Sequence, residues 1–217
     1  MRYIYGLDPA SQNDHFGIIV HRLPEKRMQE ELPQLQTLRK LRQMPFDEML
    51  EFLYSELFPR YPPYYIVIDY TNERTFTDIL IRKYSKRRVK ALIFSDTSKK
   101  MLKDDGIAIL NQGYKFPDDT DRKSKIALWI RDLKEELIHE EMILTPAGKE
   151  TFSPPQGKHN DLAIAWELSI HGCLKFMFSK PGPHLVVTKK YTTDRFDYLG
   201  SGIPPGAVHL GRTVFLP

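Results

Sequence analysis

YYIVIDYTNE, residues 64–73, decides the fold. Residues 64–68 are all apolar or aromatic and lead without a polar break to Asp69. A strand that is apolar on both faces belongs in the middle of a sheet covered from both sides. A helical pattern follows over roughly 73–84, then a second apolar run, VKALIF, over 89–94, which reads as another buried strand. Upstream, RYIYGL (2–7) and FGIIVHR (16–22) read as strands flanking the turn DPASQND (8–14). Met28–Leu38 offers a third strand, weakened by Pro33. Leading strands followed by strand–helix alternation predict an α/β domain with a mixed central sheet flanked by helices.

The remaining elements fit that frame. Residues 46–58 put Phe46, Met49, Leu50, Leu53 and Leu57 on one helical stripe, which Pro59 and the Pro62–Pro63 pair bring to a stop. Residues 97–111 read as a helix with Gly113 just past its end, and YKF (114–116) as a short strand before Pro117. Residues 122–139 carry Ile126, Trp129, Ile130, Leu133 and Leu137 at helical spacing. EEMILTPAGKETFS (140–153) reads as a hairpin around PAGK, and LAIAWELSI (162–170) as a buried helix. Trp129 and Trp166 are expected in the core. Residues 1–173 form the predicted domain. Residues 174–217, rich in Pro, Gly, Tyr and Thr, read as an extended arm or small appendage.

Composition narrows the setting. The chain has 217 residues, 41% of them hydrophobic and 28% charged, which suits one domain with a sizeable core and argues against wholesale disorder. A net charge of +4 permits a nucleic-acid partner without requiring one. The single cysteine, Cys173, excludes an intrachain disulfide and favours a reducing, intracellular setting. The N-terminus has no long apolar segment, and no apolar run approaches the ~18 residues of a membrane span. The expected protein is intracellular, neither secreted nor bound to a membrane.

Three acids carry the chemistry. Asp8 and Asp69 end apolar runs, and Asp161 opens an almost wholly apolar segment. Each has an ordinary structural use: Asp8 as a turn former, Asp69 as the cap of the following helix, Asp161 or Asn160 as an N-cap. Carboxylates brought together on rigid elements also make a site for hard divalent cations, which take oxygen ligands. Two such ions about 3.5–4 Å apart suit in-line cleavage of a phosphodiester. Asp14 is a further candidate ligand, and Glu73 and Asp96 fit helix starts.

The combination of GLDPA at 6–10 with Asp14, IVID at 66–69 and GKHNDLAIAWEL at 157–168 resembles the C-terminal nuclease domain of viral, phage-type large terminase subunits. KKMLKDDGIAILNQGYKFPDD (99–119) is similar to that family's helix–glycine–strand–proline segment. The resemblance spans about residues 1–173. It implies an RNase H-like fold and a metal-dependent endonuclease that cuts double-stranded DNA during genome packaging. It also implies Mg2+ or Mn2+, two ions, held by Asp8, Asp69 and Asp161. His159 falls at the histidine of the family's His-Asp-Asp-Leu-like motif, and Asn160 stands where an aspartate is common. Asn160 keeps an oxygen ligand but removes a charge. No GxxxxGK[ST] phosphate loop occurs, so the packaging ATPase is missing: the chain is either an excised domain or a stand-alone homologue. Implied partners are double-stranded DNA and a packaging ATPase, small terminase or portal protein, in the host cytoplasm if the protein is viral.

Candidate DNA contacts are His159 and Lys158 beside the last acid, Lys149 in the hairpin turn, and Arg87 and Arg88 in the basic run RKYSKRRVK (82–90). Lys99, Lys100 and Lys103 extend that run onto the next helix. Phosphate contacts of this kind give sequence-independent affinity. The acid cluster also suits a Holliday-junction resolvase or a transposase-like enzyme on the same fold. With Asn160 and no ATPase, a non-catalytic DNA-binding or assembly module is a further alternative. A sugar-kinase-like or actin-like ATPase is disfavoured, because DPASQND is poor in the glycine such phosphate loops need.

Overall fold

The structure, a computed structural model, describes residues 1–9, 15–25, 31–42, 44–71, 74–144, 150–155 and 159–177. Five strands form one sheet: β1 (Tyr3–Asp8), β2 (His15–Arg22), β3 (Gln34–Arg42), β4 (Pro63–Asp69) and β5 (Val89–Leu92). Their order across the sheet is β3-β2-β1-β4-β5. β1 pairs antiparallel with β2, and β2 with β3, while β1–β4 and β4–β5 are parallel. The sheet is therefore mixed, with β1 and β4 at its centre. Pro63 is tolerated because it opens β4, where no ladder bond is lost from the middle of the strand.

Strand alternation divides the apolar residues between two layers. Tyr3, Tyr5, Leu7, Phe16, Ile18, Val20, Ile66 and Ile68 pack on one side. There they meet α1 (Phe46–Phe52), a π-helical turn (Leu53–Leu57), α2 (Phe58–Arg60) and α3 (Arg74–Tyr84) through Met49, Leu53, Leu57, Phe58, Phe76 and Leu80. Ile4, Ile19, Tyr65 and Val67 face the other way, toward α4 (Asp96–Asn111), α5 (Lys125–His139) and α6 (Asp161–Met177). A hairpin, β6 (Glu141–Leu144) with β7 (Glu150–Ser153), joins α5 to α6.

α6 is the spine of the second layer, and glycines let it approach the sheet. A Cβ on Gly6 would collide with the carbonyl of Ala165, and one on Gly172 would lie 2.9 Å from Val67 Cγ2. Trp166 and Cys173 are buried, as expected of a helix apolar nearly all round.

The expected elements differ from the observed ones in several places; Pro59 lies inside a helical turn that runs on to Arg60, and Ile126 of α5 is 43% exposed. VKALIF is not a buried strand: β5 ends at Leu92, only Val89 is fully buried, and Ile93 is 61% exposed, because β5 is the sheet's edge. YKF forms no strand; Tyr114 is buried instead by edge-on packing against Trp166 and by its hydroxyl, 2.6 Å from His21 Nε2. The third strand runs over Gln34–Arg42 and not from Met28, and residues 26–30 lie outside the described residues. α6 continues past residue 173 to Met177, and the arm or appendage from 178 onward lies outside the described residues. Among the described residues no helix is long and apolar enough to cross a membrane.

Candidate metal and nuclease site

Register places Asp8 and Asp69 side by side. β1 and β4 run parallel with Leu7 opposite Ile68, so the next residues, Asp8 and Asp69, end neighbouring strands about 4.8 Å apart. Both face α6. Asp8 lies two residues beyond Gly6, which abuts Ala165, and Asp69 two beyond Val67, which abuts Gly172. On its other side Asp8 pairs with Gly17 of β2. A Cβ on Gly17 would collide with the carbonyl of Asp161, so the first residue of α6 rests directly on that glycine. Asp69, Asp8 and the start of α6 thus follow one another across three adjacent strands. All three aspartates are buried, at 7%, 9% and 2% exposure.

Each acid is held differently. Asp69 Oδ1 accepts from the backbone N–H of Thr71 at 2.8 Å and from its hydroxyl at 2.6 Å, closing a turn ahead of α3 and not capping that helix, which begins at Arg74. Burial nevertheless pushes its carboxyl above the ordinary range, against the pull of the Thr71 bonds and of Lys99. Asp161 is set by the start of its helix. Glu136 of α5 lends Oε2 to the backbone N–H groups of Leu162 (2.8 Å) and Ala163 (3.0 Å), and so serves as a cap supplied from another helix. Glu136 Oε1 is paired with Lys40 Nζ of β3 at 2.6 Å. Burial lowers Lys40, but the bond to Glu136 and the charges of Glu136 and Asp161 hold it above its ordinary value.

Two histidines join the third acid. His15, the first residue of β2, puts Nδ1 3.4 Å from Asp161 Oδ2. His159 packs edge-on to His15, with ring centroids 5.6 Å apart. Among the described residues, His15, His159 and Asp161 are a set of three ligand-type side chains whose donor atoms all lie within 4.8 Å of one another. Asp8 and Asp69 are not part of that set. His15 was not among the residues singled out from sequence. The available signal was alternation: His15, Gly17, Ile19 and His21 share one face of β2, and that face lies on α6.

No family model and no curated protein matches the chain. Solved structures do. The large terminase nuclease from thermophilic phage G20c, solved with bound magnesium and again with bound cobalt, superposes with a TM-score of 0.61 at 16% identity. That match covers 78% of this chain and 80% of the other. The large terminase nuclease domain of Thermus phage P74-26 matches with a TM-score of 0.52 at 15% identity, over 77% of each chain. The chain has the large-terminase nuclease fold. This is the RNase H-like architecture expected from the resemblance, here with the strand order β3-β2-β1-β4-β5.

On this terminase-nuclease fold the other predicted residues fall in different places. Arg87 and Arg88 are exposed, but they precede β5, and the Arg88 carbonyl accepts from Ile66 N–H near the start of β4. They therefore sit at the end of the sheet opposite Asp69. Lys103 does not extend a surface patch. It is buried on α4 between Glu140, at 7% exposure, and Glu167 of α6, whose Oε1 lies 2.6 Å from its Nζ. Two buried carboxylates have drawn the lysine inward. Asn160 donates its amide Nδ2 to Glu140 Oε1 at 3.0 Å, a bond that does not involve its Oδ1. Asp14, Glu73, Lys149 and Lys158 lie outside the described residues.

Proposed function

We propose that this chain is a divalent-metal-dependent endonuclease that cuts double-stranded DNA during viral genome packaging. The observation that carries the reading is the side-by-side ending of β1 and β4 in Asp8 and Asp69, on the face where Asp161 starts α6. The nuclease domains sharing this fold, one with magnesium and cobalt bound, support it.

The donor set fits hard dications. Asp8, Asp69 and Asp161 offer only carboxylate oxygens from rigid elements, the ligand type Mg2+ and Mn2+ take. Buried acids on neighbouring elements repel one another, and a cation would remove that cost. A pair of ions held there would activate a water and stabilise the leaving oxygen of the phosphodiester. Asp8 lies between the other two along the sheet and, with them, would help hold the metal. Glu136 and Lys40 keep the start of α6 in place, so that Asp161 is aimed before substrate arrives. Contacts to phosphates, with His159 at the site's rim, read shape and charge and not base sequence. A packaging ATPase, on another domain or chain, would supply translocation.

The test is nicking of supercoiled plasmid with Mg2+ or Mn2+. Asp8→Ala, Asp69→Ala and Asp161→Ala should each lower the rate by at least about 100-fold while far-UV circular dichroism stays unchanged. Full activity in a folded Asp8→Ala protein would sink the reading. A strong preference for four-way junctions over linear duplex would move it to a junction resolvase on the same fold.

A further inference from the structure

We propose that His15, His159 and Asp161 form a nitrogen-bearing cation site that selects a transition dication of the Co2+ or Zn2+ type over Mg2+. The three donors come from three separate elements: the start of β2, the segment leading into α6, and the first residue of α6. They converge to within 4.8 Å. The site rests on the nuclease reading only for what the ion would do, since Asp161 belongs to both sets.

Geometry favours coordination over a plain ion pair. The 3.4 Å between His15 Nδ1 and Asp161 Oδ2 is long for a charge-assisted hydrogen bond, which runs about 2.7–2.9 Å. It matches the edge of a tetrahedron with metal–ligand bonds of about 2.0–2.1 Å, roughly 3.4 Å. Backbone packing fixes this pair, because Gly17, two residues along the same face of β2, bears on the Asp161 carbonyl. His159 is exposed, with a ring nitrogen within 4.8 Å of the other two donor atoms. Three protein ligands with one exposed member leave a position for water or substrate, the pattern of a catalytic and not a structural site.

The donor types set the selectivity. Mg2+ demands oxygen ligands and gives up its waters reluctantly. Imidazole suits Zn2+, Co2+ and their neighbours, which bind mixed nitrogen and oxygen sets more tightly in the Irving–Williams order. His159 lines a cleft of about 190 Å³ together with Asp132, Glu135, Glu136, Lys40 and His139. Its excess of carboxylates over lysine draws cations inward.

The experiment titrates the full chain with Co2+ alone and with Mg2+ alone, by calorimetry and by the visible spectrum of bound Co2+. Wild type, His15→Ala, His15→Gln and His159→Ala are compared, each checked for folding by thermal melting. Co2+ should bind at least about 10-fold tighter than Mg2+, with tetrahedral d–d bands. Both His15 variants should lose at least about 10–100-fold in Co2+ affinity, since even outer-sphere changes cost that much. Unchanged Co2+ affinity in folded His15→Ala and His15→Gln, or Co2+ no tighter than Mg2+, overturns the proposal. Plasmid cutting is read separately: its absence alongside His15-dependent Co2+ binding counts against the nuclease reading alone.

Discussion

Asn160 donates its side-chain amide to Glu140 Oε1 at 3.0 Å, one residue before the acid that opens α6. Glu140 is itself buried and paired with Lys103. The asparagine therefore replaces a charge with a hydrogen-bond donor where a second carboxylate would meet a first.

Placing an aspartate at position 160 should be costly. Asn160→Asp sets two carboxylates against each other in a buried setting and is expected to lose about 1–3 kcal/mol of stability. Adding Glu140→Gln should recover most of that loss. Urea denaturation of the two single variants and the double variant, read as a cycle, measures the coupling, and simple additivity would refute it.

Glu136 holds the start of α6 from a different helix. Glu136→Ala removes the acceptor of two backbone N–H groups and should cost about 1–2 kcal/mol. Glu136→Gln keeps one acceptor oxygen and should fall between alanine and wild type. Mn2+ affinity, followed by calorimetry, should drop in the same order, because Asp161 loses its fixed aim. A Glu136→Ala protein as stable and as metal-competent as wild type would show that α6 needs no such cap.

Gly17 is predicted to be intolerant of any side chain. Gly17→Ala drives a methyl group into the Asp161 carbonyl, and backbone on both sides leaves little room to yield. A stability loss of about 1–3 kcal/mol is expected, together with weakened metal binding, because β2 and α6 must part. Thermal melting and Mn2+ titration of the one variant check both effects.

The buried Lys103 cluster gives a pH signature. Burial pushes the Glu167 carboxyl above the ordinary range, against the attraction of Lys103. A carboxyl raised on folding favours the folded state below its unfolded pKa, about 4.3, and that contribution is lost as pH rises through the folded value. Stability from this group thus declines as pH rises above about 4. Glu167→Gln should flatten that part of the profile and be no less stable at pH 7, since Lys103 keeps Glu140. Lys103→Met strands two buried carboxylates and should lose about 3–5 kcal/mol. Urea midpoints across pH 4–8 distinguish these outcomes; an unchanged slope in Glu167→Gln would exclude the assignment.

Much of the frame was legible in the chain itself. Apolar runs ending in Asp8 and Asp69 mark strands and where they stop, because backbone pairing and burial act on neighbouring residues with a fixed period. The helical stripe with Trp129 and Leu133, and the apolar stretch opened by Asp161, are local in the same way. VKALIF and YKF misled because an edge strand and a packed aromatic segment share the composition of a buried strand. What covers them depends on other parts of the fold.

The residue string by itself determined that an α/β sheet would carry aspartates at the ends of its strands. Only the tertiary structure decided which groups answer those acids. His15 meets Asp161, Glu136 caps α6, Asn160 serves Glu140 and Lys103 turns inward. Each of these pairs joins residues 20 or more positions apart, and a polar side chain carries no mark of its partner. Close approach of glycine-lined strands to one helix brings them together.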